Sequence, residues 1–156
     1  MSLRWKKKIT RPDGSTILKE IYGDLFQAPD NHSLVHCVSA DFRMGKGIAV
    51  KFKKRYGGVS ELLAFGAHTG GLAFLRRDNR FIYYLVTKER YFKKPTIETL
   101  KSSLRCLRHH CMKNRVQYLG MPIIGCGLDK LNWYDVRNLL VKTFKNTPIQ
   151  ITVYMS

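Results

Sequence analysis

With 156 residues, the chain is sized for one compact domain with a core of its own, and no apolar stretch is long enough to cross a bilayer. Lys and Arg number 28 against 11 acids, a formal net charge of +17, so the surface attracts polyanions such as nucleic acid but says nothing about the fold. The four cysteines form no CxxC pair, which argues against a zinc ribbon and fits reduced thiols in a reducing compartment.

The start carries no apolar segment of the secretory type, and its short basic run is a poor transit peptide. Residues 1–16 therefore read as a flexible basic leader with a turn at "RPDG", and residues 17–156 as the domain. "TILKEIYGDL" (Thr16–Leu25) partly alternates and predicts a strand. "SLVHCVSA" (Ser33–Ala40) is a continuous apolar run, the pattern of a parallel strand buried on both faces. Its His36 and Cys37 belong to the core on this reading. "GIAVKFKKRYGG" (Gly47–Gly58) places Ile48, Phe52 and Tyr56 four apart and predicts an amphipathic helix ended by glycines.

"LAFLRRDNRFIYYLVTK" (Leu72–Lys88) reads as a β-hairpin turning at Asp78-Asn79. Pro95-Thr96 opens a helix with the stripe Ile97, Leu100, Leu104, Leu107 and Cys111. "VQYLGMPII" is a further strand, "NWYDVRNLLVKTF" a helix facing inward through Trp133, Val136, Leu139, Leu140 and Phe144, and "IQITVYM" a closing strand. Strands interleaved with helices predict an α/β fold with a mixed sheet covered on both faces.

Several short stretches carry chemistry, each beside a plainer reading. "RMGKGIA" (Arg43–Ala49) sets two glycines one apart between a strand and a helix, where backbone N–H groups and the helix dipole favour a phosphate; an ordinary turn has the same look. "GCG" (Gly125–Gly127) repeats the arrangement at the next strand–helix junction. Two such loops at the carboxyl edge of one sheet can hold a pyrophosphate between them, although neither matches a P-loop or a GxGxxG fingerprint.

Asp24 in "GDLF" directly follows a strand and can accept from an exocyclic amine, or simply cap a turn. Lys88 closes the hairpin among other cations. Burial and cationic neighbours favour the neutral amine that a nucleophile needs, whereas a surface lysine would stay charged. "CLRHHC" (Cys106–Cys111) is a poor metal site, because neighbouring ligands on one helix cannot close a tetrahedron. A triad drawn from Ser39, His36 and Asp129 lacks a nucleophile elbow.

The ordered set "GDLF…SLVHCVSADFRMGKGIAVKFKKRYGG…YYLVTK…KPT…MPIIGCGLDKLNW…ITVY" resembles the macrodomain superfamily, and within it the terminal ADP-ribose protein glycohydrolase branch. The resemblance covers about residue 17 onward. It implies a three-layer α/β/α sandwich with a mixed central sheet and a cleft for ADP-ribose. It also implies hydrolysis of the ester joining ADP-ribose to protein glutamate or aspartate, and deacylation of O-acyl-ADP-ribose.

Residue by residue, the resemblance implies that Lys88 is the catalytic nucleophile and Asp129 the catalytic acid/base. Asp24 would select adenine, Ser39 and the loop Gly45, Lys46, Gly47 and Ile48 would contact the distal ribose and phosphates, and Gly125, Cys126, Gly127 and Leu128 would form the second phosphate loop. Leu25, Met44, Ile124 and Tyr154 complete the expected substrate-binding set. Ala40 and Ile123 stand where the family carries an acid and an arginine. Neither cofactor nor metal is expected. The expected partners are ADP-ribose and ADP-ribosylated proteins, with salt-sensitive affinity for nucleic acid or poly(ADP-ribose), no membrane, a monomeric state and a nuclear or cytoplasmic location. The rival readings are a non-catalytic ADP-ribose reader and an RNA-binding module driven by charge. No RRM, KH or zinc-finger signature supports the second.

Overall fold

The computed structural model describes residues 4–125 and 131–156. Seven strands form one sheet: β1 (Arg4–Thr10), β2 (Thr16–Tyr22), β3 (His32–Ser39), β4 (Gly71–Arg77), β5 (Arg80–Lys88), β6 (Tyr118–Pro122) and β7 (Gln150–Met155). Their spatial order is β1-β2-β7-β6-β3-β5-β4. The five inner strands run parallel, and β1 and β4 close the two edges antiparallel to their neighbours. Among the described residues four helices lie between the strands: α1 (Ile48–Tyr56), α2 (Val59–Ala64), α3 (Ile97–Lys113) and α4 (Trp133–Phe144).

The continuous apolar runs are explained by cover on both faces. Along β5, Tyr83 and Leu85 enter one core with Leu104 and Leu107 of α3 and Val136 and Leu140 of α4. The alternate residues Ile82, Tyr84 and Val86 enter a second core with Phe52 of α1 and Leu62 of α2. The sandwich is therefore helices, mixed sheet, helices, as the sequence predicts. Asp78 and Asn79 at the β4–β5 turn both have positive φ (52° and 62°), the left-handed geometry of a tight hairpin. Thr96 begins α3 through a capping box with Thr99.

Three expectations are corrected. Residues 4–10, read as part of a flexible leader, are β1, paired with β2 from Arg4↔Tyr22 to Thr10↔Thr16. An edge strand tolerates lysines, which discourage further edge pairing, so a basic run and a strand are compatible. The strand expected to reach Leu25 stops at Tyr22, where Asp24 turns the chain into the single 3-10 turn Leu25–Gln27. The glycines expected to end a helix also begin α2: Gly58 has φ 71° and its carbonyl accepts from Leu62 N–H at 2.9 Å.

Arg11 ties the amino-terminal hairpin to the far end of the chain. Its guanidinium donates to the carbonyls of Thr16 (2.6 Å), Phe144 (3.2 Å), Lys145 (3.1 Å) and Ile149 (2.7 Å). Phe144 and Lys145 end α4, where carbonyls lack intrahelical partners.

His36 is a core residue, as its strand position predicts. Its ring stacks on Phe52 at 3.8 Å between centroids and meets Tyr84 edge-on at 4.7 Å. Both ring nitrogens are buried without a hydrogen-bond partner, and burial pushes the pKa down to about 3. The unfolded chain takes up this proton near the ordinary histidine range and the folded chain does not. Stability is therefore complete above that range and falls as pH drops through it. Between pH 7 and 5 the protein should lose about 2 kcal/mol more stability than His36→Leu, read from urea midpoints at both values. An equal loss in the two proteins would show that His36 is not held neutral.

Candidate functional site

Parallel pairing puts the carboxyl ends of β2, β3, β5, β6 and β7 at one edge of the sheet. Tyr22 pairs with Met155, Pro122 with Tyr154, and Ser39 with Lys88 across a register shift after Val38. In open α/β sheets this edge is where ligands bind. Most of the residues singled out in the sequence lie along it.

At the β2 end, Asp24 is exposed, and its carboxylate accepts from Phe26 N–H at 2.9 Å. It lines a cavity of about 470 Å³ with Phe26 and three cations, Lys51, Lys54 and Arg55. Leu25 does not face this space: its side chain is buried in the core on the α1 side. Tyr154 is half-buried against the same core, and burial raises its hydroxyl above the usual tyrosine range.

The next segment joins β3 to α1. Gly47 precedes the helix with φ 61° and open space where a side chain would stand. No side chain caps α1 and no acid lies in its first turn. An uncapped helix start preceded by exposed Gly45, Lys46 and Gly47 suits a phosphate. Upstream, Phe42 and Met44 adopt positive φ (50° and 46°), uncommon for such side chains, and both are buried in the core. Met44 is thus an anchor for this loop.

Asp41 holds this loop to the next, and the sequence reading passed over it. One carboxylate oxygen accepts from the Ser39 hydroxyl and from Arg43 N–H (3.1 Å), and the other from Tyr91 N–H (3.1 Å) in the segment after β5. Burial would raise its pKa, but these three hydrogen bonds and the charge of Arg90 hold it below the usual carboxylate value. The guanidinium of Arg43 lies 4.1 Å from the Tyr91 ring centroid, closing the same junction. A Ser-x-Asp spacing after a strand was the available signal, since such side chains commonly bond locally.

Lys88 sits half-buried beside this clamp, and its carbonyl accepts from Ala40 N–H at 2.9 Å. Ser39 therefore lies at the Lys88 end of the edge, with its hydroxyl turned to Asp41. His36 contacts aromatic rings rather than Ser39, so the two form no triad.

The β6–α4 connection is described only at its two ends. Ile124 is buried, and Gly125, with φ 73°, accepts through its carbonyl from Leu131 N–H at 2.8 Å. Cys126, Gly127, Leu128 and Asp129 lie outside the described residues. Asn132 caps α4 by accepting from Tyr134 N–H at 2.8 Å. Trp133 Nε1 donates at 2.6 Å to Glu20, a fully buried carboxylate that also receives Arg137 at 3.2 Å. Both ends of the connection are thus fixed, and Glu20 is a second residue that sequence reasoning missed. On α3, His110 is engaged in packing: Nδ1 lies 2.7 Å from the Tyr83 hydroxyl, and the ring rests on Phe74 and Phe81.

No protein-family model matches the chain. The human protein named ADP-ribose glycohydrolase OARD1 is 52% identical over 143 residues, covering 92% of this chain and 93% of that one. The macrodomain of Thermus aquaticus DarG superposes with a TM-score of 0.79 at 23% identity, covering 88% of this chain and 97% of that chain. Thermosipho africanus DarTG, solved in complex with ADP-ribose, gives 0.81 at 22% identity over 98% of this chain and 43% of that chain. The sheet order, the edge that gathers these loops and the near full-length likeness to the human protein agree: the chain belongs to the macrodomain superfamily, in the branch of the ADP-ribose glycohydrolases.

Proposed function

We propose that this protein hydrolyses the ester linking ADP-ribose to protein glutamate or aspartate, and deacylates O-acyl-ADP-ribose, with Lys88 as nucleophile and Asp129 as acid/base. The observation that carries the reading is the line of groups along one sheet edge. Asp24 follows β2, the uncapped start of α1 follows the loop after β3, and Ser39 stands beside Lys88 where β3 pairs with β5. That set suits a nucleoside, a pyrophosphate and a distal ribose. The likeness to a human protein named ADP-ribose glycohydrolase supports the reaction class.

In the proposed reaction the Lys88 amine attacks the anomeric carbon. The bond to the ester oxygen breaks, and the carboxylate departs with the electron pair. The attacking nitrogen sheds its proton to solvent, leaving a lysyl–ADP-ribose intermediate. Asp129 then takes a proton from the water that adds to the same carbon and passes it to the nitrogen, the carbon–nitrogen bond breaks, and the amine is restored as ADP-ribose leaves.

The decisive measurement is incubation with glutamate-linked mono-ADP-ribosylated protein, scoring free ADP-ribose. Lys88→Ala should abolish turnover while ADP-ribose still binds. Lys88→Arg should fail too, because a guanidinium stays protonated. Asp129→Ala should accumulate one ADP-ribose on Lys88, seen by intact mass spectrometry, and the double variant should carry none. Full activity in Lys88→Ala would leave no role for a covalent step. Binding without turnover in the unaltered protein would favour the non-catalytic reader.

At the nucleoside end, Asp24→Ala should weaken ADP-ribose binding by about 1.5–3 kcal/mol, the scale of a hydrogen bond to a charged group. Unchanged affinity by calorimetry would remove Asp24 from the site.

A second, sequence-independent affinity for polyanions is supported by Lys51, Lys54 and Arg55, which converge on one cavity without an ion pair among the described residues. RNA binding should weaken linearly on a plot of log K against log salt. Lys51→Glu with Lys54→Glu should flatten that slope by about 1–2, and an unaltered slope would acquit this face. Deleting residues 1–11 is not a clean probe of charge, because it removes β1 and Arg11.

A further inference from the structure

The segment that leaves Lys88, residues 89–95, presents two adjacent aromatic rings to solvent: Tyr91 is 46% exposed and Phe92 66%. It is a held surface. Tyr91 N–H is fixed to Asp41, Lys93 N–H donates to the Arg90 carbonyl at 3.0 Å, and the buried Pro95 leads into the cap of α3. Four cations surround the rings. Arg43 stacks on Tyr91, Lys93 stands 5.9 Å from the Phe92 centroid, and Arg90 and Lys94 are exposed beside them. Among the described residues, Arg90, Lys93 and Lys94 take part in no ion pair. The nearby acids are Glu89 and Asp41, and the Asp41 carboxylate is occupied by three hydrogen bonds.

Position gives this surface its use. Tyr91 follows Lys88 by three residues, a reach of at most about 10 Å along the chain. A polypeptide bonded to the distal ribose at Lys88 emerges beside this segment, and two or three of its residues on either side of the bond fall within the same reach. Exposed aromatic rings offer anchors, and unpaired cations attract opposite charge.

From this juxtaposition we propose that Arg43, Arg90, Tyr91, Phe92, Lys93 and Lys94 form a docking surface for an acidic peptide segment that carries the ester-linked ADP-ribose. The inference rests on the reading of Lys88 as the hydrolytic centre. It adds that the enzyme selects the sequence around the modified carboxylate.

The test uses the full chain and three substrates: O-acetyl-ADP-ribose, a peptide with one ADP-ribosylated glutamate flanked by aspartates, and the same peptide flanked by lysines. For each protein, kcat/KM on each peptide is divided by kcat/KM on the small ester. At low salt the aspartate-flanked peptide should exceed the lysine-flanked one by about tenfold, and the gap should shrink as salt screens it. Charge reversal at Arg90→Glu, Lys93→Glu and Lys94→Glu should remove or invert the preference. Phe92→Ser should raise KM for both peptides and keep the preference. Equal rates for the two peptides in the unaltered protein, or a preference that survives charge reversal, would overturn the docking surface alone. Failure to turn over any of the three substrates would overturn the hydrolase reading and this inference with it.

Discussion

The parallel pairing of β3 with β5 is the constraint from which the rest follows. Parallel neighbours cannot be joined by a tight turn, so each connection must cross the sheet, and helices make the crossings. Those helices cover both faces, which is why β3 and β5 are buried at nearly every position. Parallel pairing brings the carboxyl ends of the five inner strands to one side. Ser39 and Lys88 meet there because of strand register, although they are far apart in the sequence.

Order at that edge depends on a balance between strain and anchoring. The loop after β3 carries two bulky residues in the left-handed region, a conformation with a cost for such side chains. Their burial offsets it, and the Asp41 carboxylate ties the loop to the segment after β5. A single side chain thus sets the spacing of two loops that approach from different strands. At the other side of the edge Glu20 plays a comparable part, reaching from β2 to hold the first turn of α4 through Trp133 and Arg137.

Much of the architecture was legible because its signals are local. Asp78-Asn79 between alternating apolar residues specifies a hairpin, and the stripe from Leu100 to Cys111 specifies a buried helix face. β1 was illegible because its lysines resemble a solvated tail, and pairing with β2 is a tertiary event. α2 was hidden because six residues after a glycine pair carry too little periodicity. In the candidate site, the local signal for Lys88 is only its place at the hairpin's end among cations, and family resemblance made it the nucleophile. Asp41 and Glu20 were missed for a different reason. Their roles are set by partners distant in the chain, Tyr91 and Trp133, which no spacing rule connects to them.

The position of β7 bears on how the chain is made. It follows every other strand in sequence, yet it lies inside the sheet, between β2 and β6. Until residues 150–155 leave the ribosome, the β1–β2 ribbon has no place to dock, and β6 shows an open edge to its surroundings. Arg11 waits as well, since its acceptors at Phe144, Lys145 and Ile149 are synthesised more than a hundred residues later. The pairings of β7 join segments far apart in the sequence, and non-local pairing of this kind is slow. A nascent or truncated form lacking β7 is the species for which a chaperone has the most to cover.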